Sequence, residues 1–108
     1  GKRARMGEVA AALADWAFLT SDNPRSEDPL AILAEIEQGF ARSGSRAYTI
    51  ISDRHKAIEA ALASARKGDA VLIAGKGHET YQIFKDRTIP FNDAEVVRSI
   101  LKAMESKT

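Results

Sequence analysis

The sequence contains no cysteine, which excludes disulfides, iron–sulfur clusters and thiolate chemistry. It also lacks an excess of charge of one sign, because 16 Lys and Arg residues stand against 15 Asp and Glu residues. A short basic start at residues 1–5 is not enough to indicate nucleic-acid binding. The apolar runs are far shorter than a membrane span, and no signal peptide is visible. We therefore expect a cytoplasmic protein that binds neither nucleic acid nor membrane.

Short apolar runs alternate with helical patterns along the 108 residues, which is enough chain for one domain with a real core. Helices are predicted at about residues 3–14, from Asp28 to the Ser43-Gly44-Ser45 turn, at 53–67 and from Asn92 onward. Strands are predicted at residues 16–20, 48–51 and 71–74, followed by a hairpin of residues 81–84 and 88–90. The order predicts an α/β fold: a Rossmann-like, mostly parallel sheet with flanking helices and a C-terminal hairpin.

Two features of the chain's start bear on domain organisation. There is no initiator Met, and a helical pattern begins almost at once, with Met6, Val9, Ala10 and Leu13 on the face that is predicted to be buried. Three parallel strands would also make a thin sheet. We therefore expect residues 1–108 to be a single, partial domain, truncated at the N-terminus, that was cut from a longer protein.

Two short motifs follow predicted strands. The first motif, residues 22–25, follows strand 16–20, and the second motif, residues 75–79, follows strand 71–74. The carboxyl ends of parallel strands lie on one rim of a sheet, where ligands bind. That rim would carry both the guanidinium of Arg25 and the carboxylate of Glu79. The pair suits a ligand with an ammonium and a carboxylate, such as an amino acid.

Other interpretations of these motifs stay open at this point. A P-loop would need Gly at position 70 and Ser or Thr at position 77, which are Ala70 and Gly77. A dinucleotide-binding fingerprint would need Gly at position 80, which is Thr80. The second motif can be a tight turn between a strand and a hairpin, and the first a structural loop with a surface arginine.

Metal and nucleophile chemistry find no support in the sequence. His55 and His78 have no cysteine or acidic partner at metal-ligand spacing, so we predict no metal site. No Ser/His/Asp set stands out either, and we predict no catalytic residue in this chain.

The two motifs together resemble those of the C-terminal domain of the Mur ligase family, in its branch that adds diaminopimelate. The resemblance covers the whole chain and extends to residues 1–3, which match the end of that family's Asp-Arg-Asp-Lys-Gly-Lys-Arg segment. It implies that Arg25 binds the distal carboxylate of meso-diaminopimelate, and that Gly75 and Glu79 contact the same end of the ligand. The substrate-binding residues implied in this way are Asp22, Asn23, Pro24, Arg25, Gly75 and Glu79.

The resemblance also implies a reaction. Mur ligases of this branch join meso-diaminopimelate to UDP-MurNAc-L-Ala-D-Glu through an acyl phosphate, with ATP and Mg²⁺ bound mainly by domains that this sequence does not contain. We therefore expect no cofactor in this chain and no ligation by the chain alone. Two alternatives remain: a stand-alone regulatory module that binds an amino acid or nucleotide, and a Mur-type or cyanophycin-type ligase for another amino acid.

Overall fold

The computed structural model of the protein describes residues 2–23, 26–74 and 80–106. Helices and short strands alternate in the described part, as the sequence predicts. The helices are α1 (Lys2–Leu13), α2 (Pro29–Arg42), α3 (Arg54–Ser64) and α4 (Asp93–Ser106). The strands are β1 (Ala17–Leu19), β2 (Tyr48–Ile50), β3 (Tyr81–Ile83) and β4 (Thr88–Pro90).

The strands form two small sheets. β1 and β2 pair in parallel, with Phe18 opposite Thr49, and β3 and β4 pair antiparallel, with Gln82 opposite Ile89. The α/β class, the parallel pair and the hairpin are confirmed. The parallel sheet is smaller than expected, because it has two strands in the described chain and not three.

The third predicted strand, at residues 71–74, is wrong as a strand: the structure places these residues in irregular chain. A run of apolar residues becomes a strand only where it pairs with a sheet edge and covers an apolar face. Here Leu72 is 90% exposed and Val71 is 39% exposed, so the run does not form a buried layer.

The core lies between α2 and the parallel sheet. α2 begins as predicted, with the side chain of Asp28 accepting a hydrogen bond from the Leu30 amide at 2.9 Å and with proline in the first turn. Its side chains Leu33 and Phe40 are each only 1% exposed and join Leu19 of β1 in the core. The ring of Tyr48 packs on that of Phe40, with the centroids 4.8 Å apart.

α1 turns a face to the core that differs from the predicted one, although Ala10 of the predicted face does pack against the core. Met6 and Leu13 are 56% and 82% exposed, whereas Ala4 and Gly7 are buried. A Cβ atom on Gly7 would lie 2.0 Å from the carbonyl oxygen of Ile36 in α2. The two helix backbones are therefore in direct contact, and only the small residues of α1 fit on the side that faces α2.

The ends of α3 and α4 follow the capping rules, with one shift. The Asp53 side chain accepts a hydrogen bond from the Lys56 amide at 3.0 Å, and that of Asn92 accepts one from the Glu95 amide at 3.1 Å. α3 ends at Ser64, before the predicted stop at Gly68, because the backbone is already extended at residue 65. Gly68, with φ of 93°, lies in the turn that follows.

Candidate functional site

The carboxyl ends of β1 and β2 are joined at one rim, where the first motif begins. The Ser21 amide donates a hydrogen bond to the Ser52 carbonyl oxygen at 3.3 Å, and the Thr20 hydroxyl donates to the same oxygen at 3.2 Å. The two serine hydroxyl oxygens lie 3.4 Å apart. The loop that leaves β1 is therefore held against the loop that leaves β2, directly before Asp22.

A buried arginine lies beneath this rim. Arg54 is the first residue of α3, and its side chain is 3% exposed. It forms a two-point ion pair with Asp93 at the start of α4, with Nε 2.8 Å from Oδ1 and Nη2 2.6 Å from Oδ2. A positive charge at a helix N-terminus opposes the helix dipole, and a buried charge requires a partner. Asp93 supplies that partner and fixes the plane of the guanidinium.

The same guanidinium contacts the residue that precedes each motif. Nη1 of Arg54 donates to the carbonyl oxygen of Ser21 at 3.2 Å, and Nη2 donates to that of Ala74 at 3.2 Å. Ser21 directly precedes the first motif and Ala74 directly precedes the second. One planar side chain therefore contacts both points at which the two motifs begin.

A second set of hydrogen bonds connects the first motif with the hairpin. The Asn23 side-chain oxygen accepts a hydrogen bond from the Ile83 amide at 2.8 Å. Gln82, which is 3% exposed, donates from Nε2 to the Ser21 carbonyl oxygen at 3.2 Å. The Ser21 oxygen thus accepts from both Arg54 and Gln82. The chain segments before and after the second motif are both anchored to the start of the first.

The chain just after the first motif is held by Arg3 of α1. Its guanidinium pairs with Glu27 at 2.8 Å and with Glu35 of α2 at 3.0 Å. The hydrogen bond from Arg3 lowers the pKa of the Glu27 carboxyl. All three side chains are at least a third exposed, so the network contributes modestly to stability. It still ties residue 27 to the α1–α2 pair.

Two clefts lie against the hairpin, and one of them also borders the loop that follows the first motif. One, of about 430 Å³, lies between the start of α3 and the hairpin, and the other, of about 390 Å³, lies between residues 26–29 and the hairpin turn. Both are lined by Phe84 and Arg87, whose guanidinium carbon lies 4.5 Å from the centre of the Phe84 ring.

The structure describes only part of the predicted site. Asp22 and Asn23 are half-buried in the loop after β1, and the Asn23 side chain accepts a hydrogen bond from β3. Pro24, Arg25, Gly75 and Glu79 lie outside the described residues, so the shared rim of Arg25 and Glu79 stays a prediction. Within the described ranges, no group of three or more His, Asp or Glu side chains could hold a metal ion. Likewise, no helix among those described has the length and apolar character to cross a membrane.

Sequence reasoning missed three residues of this site: Arg54, Gln82 and Asp93. One signal for Arg54 is visible in the sequence. A basic residue directly after the helix cap Asp53 is in a position that the helix dipole disfavours. Nothing along the chain indicated its partner, because Asp93 lies 39 residues away.

Comparison with known proteins shows which family the chain belongs to. A family model described as "Mur ligase, glutamate ligase domain" matches residues 1–77. The chain belongs to the Mur ligase family. It is 52% identical over 96% of its length to the UDP-N-acetylmuramoyl-L-alanyl-D-glutamate–2,6-diaminopimelate ligase of Caldanaerobacter subterraneus subsp. tengcongensis. The enzyme of the same name from Syntrophomonas wolfei is also 52% identical, over 94% of the chain.

A solved structure of a Mur ligase shows the same fold. The structure of a UDP-N-acetylmuramoyl-L-alanyl-D-glutamate–2,6-diaminopimelate ligase superposes on 97% of the chain with a TM-score of 0.88 and 45% identity. The chain spans 21% of the length of that protein and of the two relatives above. The expected membership of the Mur ligase family is therefore confirmed, and the match is to about a fifth of a longer ligase.

Proposed function

We propose that this chain is the amino-acid-binding domain of an ATP-dependent amide ligase in peptidoglycan synthesis. The ligase would act in the cytoplasm and add meso-diaminopimelate to UDP-MurNAc-L-Ala-D-Glu. The observation that carries the proposal is the contact of Arg54 with both Ser21 and Ala74, at 3.2 Å each. It supports a single site built from the two motifs that the sequence links to an amino-acid ligand. The names of the relatives, which specify 2,6-diaminopimelate, support the choice of amino acid.

The proposed roles divide the ligand's distal end between the two motifs. Arg25 binds the distal carboxylate as a two-point partner, a geometry for which arginine is suited. Gly75 and Glu79 contact the distal end from the other side, where the Glu79 carboxylate can meet the ammonium group. Asp22 and Asn23 shape the loop that presents Arg25, and Pro24 restricts its backbone. The hydrogen bond from Asn23 to β3 is consistent with this shaping role.

The chain's share of the reaction is positioning. Holding diaminopimelate with its reacting amino group oriented toward the acceptor removes much of the entropic cost of bringing two reactants together. ATP and Mg²⁺ are proposed to bind in other domains of the ligase. Within the part of the chain described here no acidic cluster fits a metal ion, and the sequence has no P-loop pattern. The 108 residues alone are accordingly expected to hydrolyse no ATP and to form no amide.

Selection against lysine follows from charge. Diaminopimelate ends in an ammonium and a carboxylate, whereas lysine ends in an ammonium only. With lysine bound, Arg25 would lose its anion and face a cation. Leaving such a charge unpaired in an interface costs on the order of 2–5 kcal/mol.

The test is Arg25→Ala in the full-length ligase that contains this sequence. We expect kcat/KM for diaminopimelate to fall roughly 30- to 1,000-fold, which corresponds to about 2–4 kcal/mol. The weak turnover of lysine should fall little, or rise as repulsion is relieved. Arg98→Ala, on the exposed side of α4, is the matched control and should change neither. Equal losses for both substrates would remove Arg25 from the specificity site.

A further inference from the structure

We propose that Arg54 is a positioning residue that sets the spacing between the two substrate-binding motifs. The idea rests on the proposed function, since it explains how the two halves of that site are held together. No contact between Arg54 and the substrate is proposed. It acts through the carbonyl oxygens of Ser21 and Ala74, each 3.2 Å from one of its terminal nitrogens.

The guanidinium can set a distance because its own orientation is fixed. Asp93 binds Nε and Nη2 with both carboxylate oxygens, at 2.8 and 2.6 Å, so rotation about the side chain's last bonds would break the pair. The remaining N–H groups then point in directions that the planar geometry dictates. With 3% of its side chain exposed, Arg54 is largely shielded from water.

The arrangement anchors the second motif on both sides. Before it, Ala74 binds Arg54; after it, Gln82 donates to the Ser21 oxygen and the Ile83 amide donates to Asn23. Ser21 is the shared point, because its carbonyl oxygen accepts from both Arg54 and Gln82. The start of the first motif and the residues that flank the second are therefore attached to one polar cluster, so we expect a change in Arg54 to affect both motifs.

Lysine cannot substitute for arginine in this role. An ammonium group is a point charge with three rotatable donors, so it can pair with Asp93 without reaching two carbonyl oxygens in fixed directions. Arg54→Lys keeps the positive charge but removes the paired contacts with Ser21 and Ala74 that set the distance between the motifs. An error of about 1 Å in substrate position can reduce the rate about 100-fold.

The first arm of the test measures kinetics in the full-length ligase. For Arg54→Lys we expect kcat/KM for diaminopimelate to fall about 10- to 100-fold and selectivity over lysine to shrink, with KM for ATP and for the UDP-linked dipeptide changed less than about twofold. Ile58→Ala, in the same helix and buried at 4% exposure, is the matched control for a purely structural defect. Asp93→Asn is the second variant if Arg54→Lys does not fold, and it should change the same parameters less strongly. Parallel losses for the Arg54 variant and Ile58→Ala would overturn the proposal.

The second arm does not depend on the ligand. Hydrogen–deuterium exchange should accelerate in peptides that cover residues 20–26 and 74–83 of the Arg54→Lys protein, whereas Ile58→Ala should accelerate exchange mainly in α3. Unchanged exchange at both motifs would overturn the proposal even if activity fell. If the wild-type ligase does not use diaminopimelate, the proposed function fails, and this arm still decides whether Arg54 spaces the two motifs.

Discussion

Where α1 and α2 lie closest together, the contact consists of small residues and bare backbone, whereas at the rim it consists of a buried charge and its hydrogen bonds. Gly7 and Gly39 let the two helices touch, since a Cβ on either would lie 2.0 Å from a carbonyl oxygen of the other helix. Arg54 instead contacts three separate chain segments through directional bonds. Close packing fixes the distance between the two helices and the face that α1 buries. The polar contact fixes the directions of two loops, which is what a ligand site needs.

Breaking the rim contact is expected to have the largest effect on stability. Arg54→Met leaves Asp93, which is 13% exposed, without its cation and removes a donor from Ser21 and Ala74. Removing one partner of a buried pair costs about 3–5 kcal/mol. Urea unfolding measures the loss.

The double variant Arg54→Met/Asp93→Leu sharpens the same comparison. Replacing both charges with apolar groups is often neutral for stability, so most of the loss should be recovered. Ligase activity should not be recovered, because no single side chain then donates to both Ser21 and Ala74. Recovery of both would mean that the rim contact only stabilises the fold.

Filling the helix contact comes next in size. In Gly39→Ala the new methyl group would meet the Ala4 carbonyl oxygen at 2.0 Å and the Glu8 amide nitrogen at 2.5 Å, so α1 must move away. We expect a loss of about 3 kcal/mol from overpacking. Helix propensity alone would favour alanine by about 1 kcal/mol. The sign of the change in the free energy of unfolding therefore distinguishes the two effects. Thermal unfolding measures the change in stability, with Ala41→Ser on the exposed side of α2 as the control. A stabilised Gly39→Ala protein would contradict the close contact.

A smaller effect is expected from the bond between the first motif and the hairpin. Asn23→Ala leaves the Ile83 amide without the acceptor that lies 2.8 Å away, at a cost of about 1 kcal/mol. Asn23→Asp keeps an acceptor oxygen and should retain most of the stability. Chemical unfolding of the three proteins measures this, and equal losses in both variants would show that the oxygen is not what matters.

The smallest expected effect is a loss of stability at high pH. It comes from the hydrogen bond between Tyr48 and Glu37, beside the core. The Tyr48 hydroxyl donates to Glu37 at 2.6 Å, and this hydrogen bond raises the pKa of the tyrosine. The stabilisation is complete below the unfolded-state pKa of about 10 and disappears as the pH rises through the higher folded-state pKa. Tyr48→Phe should therefore be slightly less stable than wild type at pH 7 and nearly equal to it at strongly alkaline pH. A stability difference that does not shrink with pH would contradict the assignment.

Local signals in the sequence predicted the elements well. The cap at Asp28 with Pro29 behind it, the cap at Asn92 and the polar turn of the hairpin each depend on residues within a few positions. The motifs indicated the family for the same reason, because each is a short, continuous run. Such signals reflect chain neighbours, and chain neighbours stay together whatever the tertiary structure is.

Only the tertiary structure decided the remaining features. The buried face of α1 depends on how closely α2 approaches, and the irregular chain at 71–74 depends on which strand edges are available to it. The contact of Arg54 with Asp93 joins residues 39 apart, and that of Gln82 with Ser21 joins residues 61 apart. No local periodicity reports such pairs, because their energy arises only when folding removes water from both partners. The sequence determined which motifs this protein carries; the packing of α3, α4 and the hairpin decided how the start of each is held.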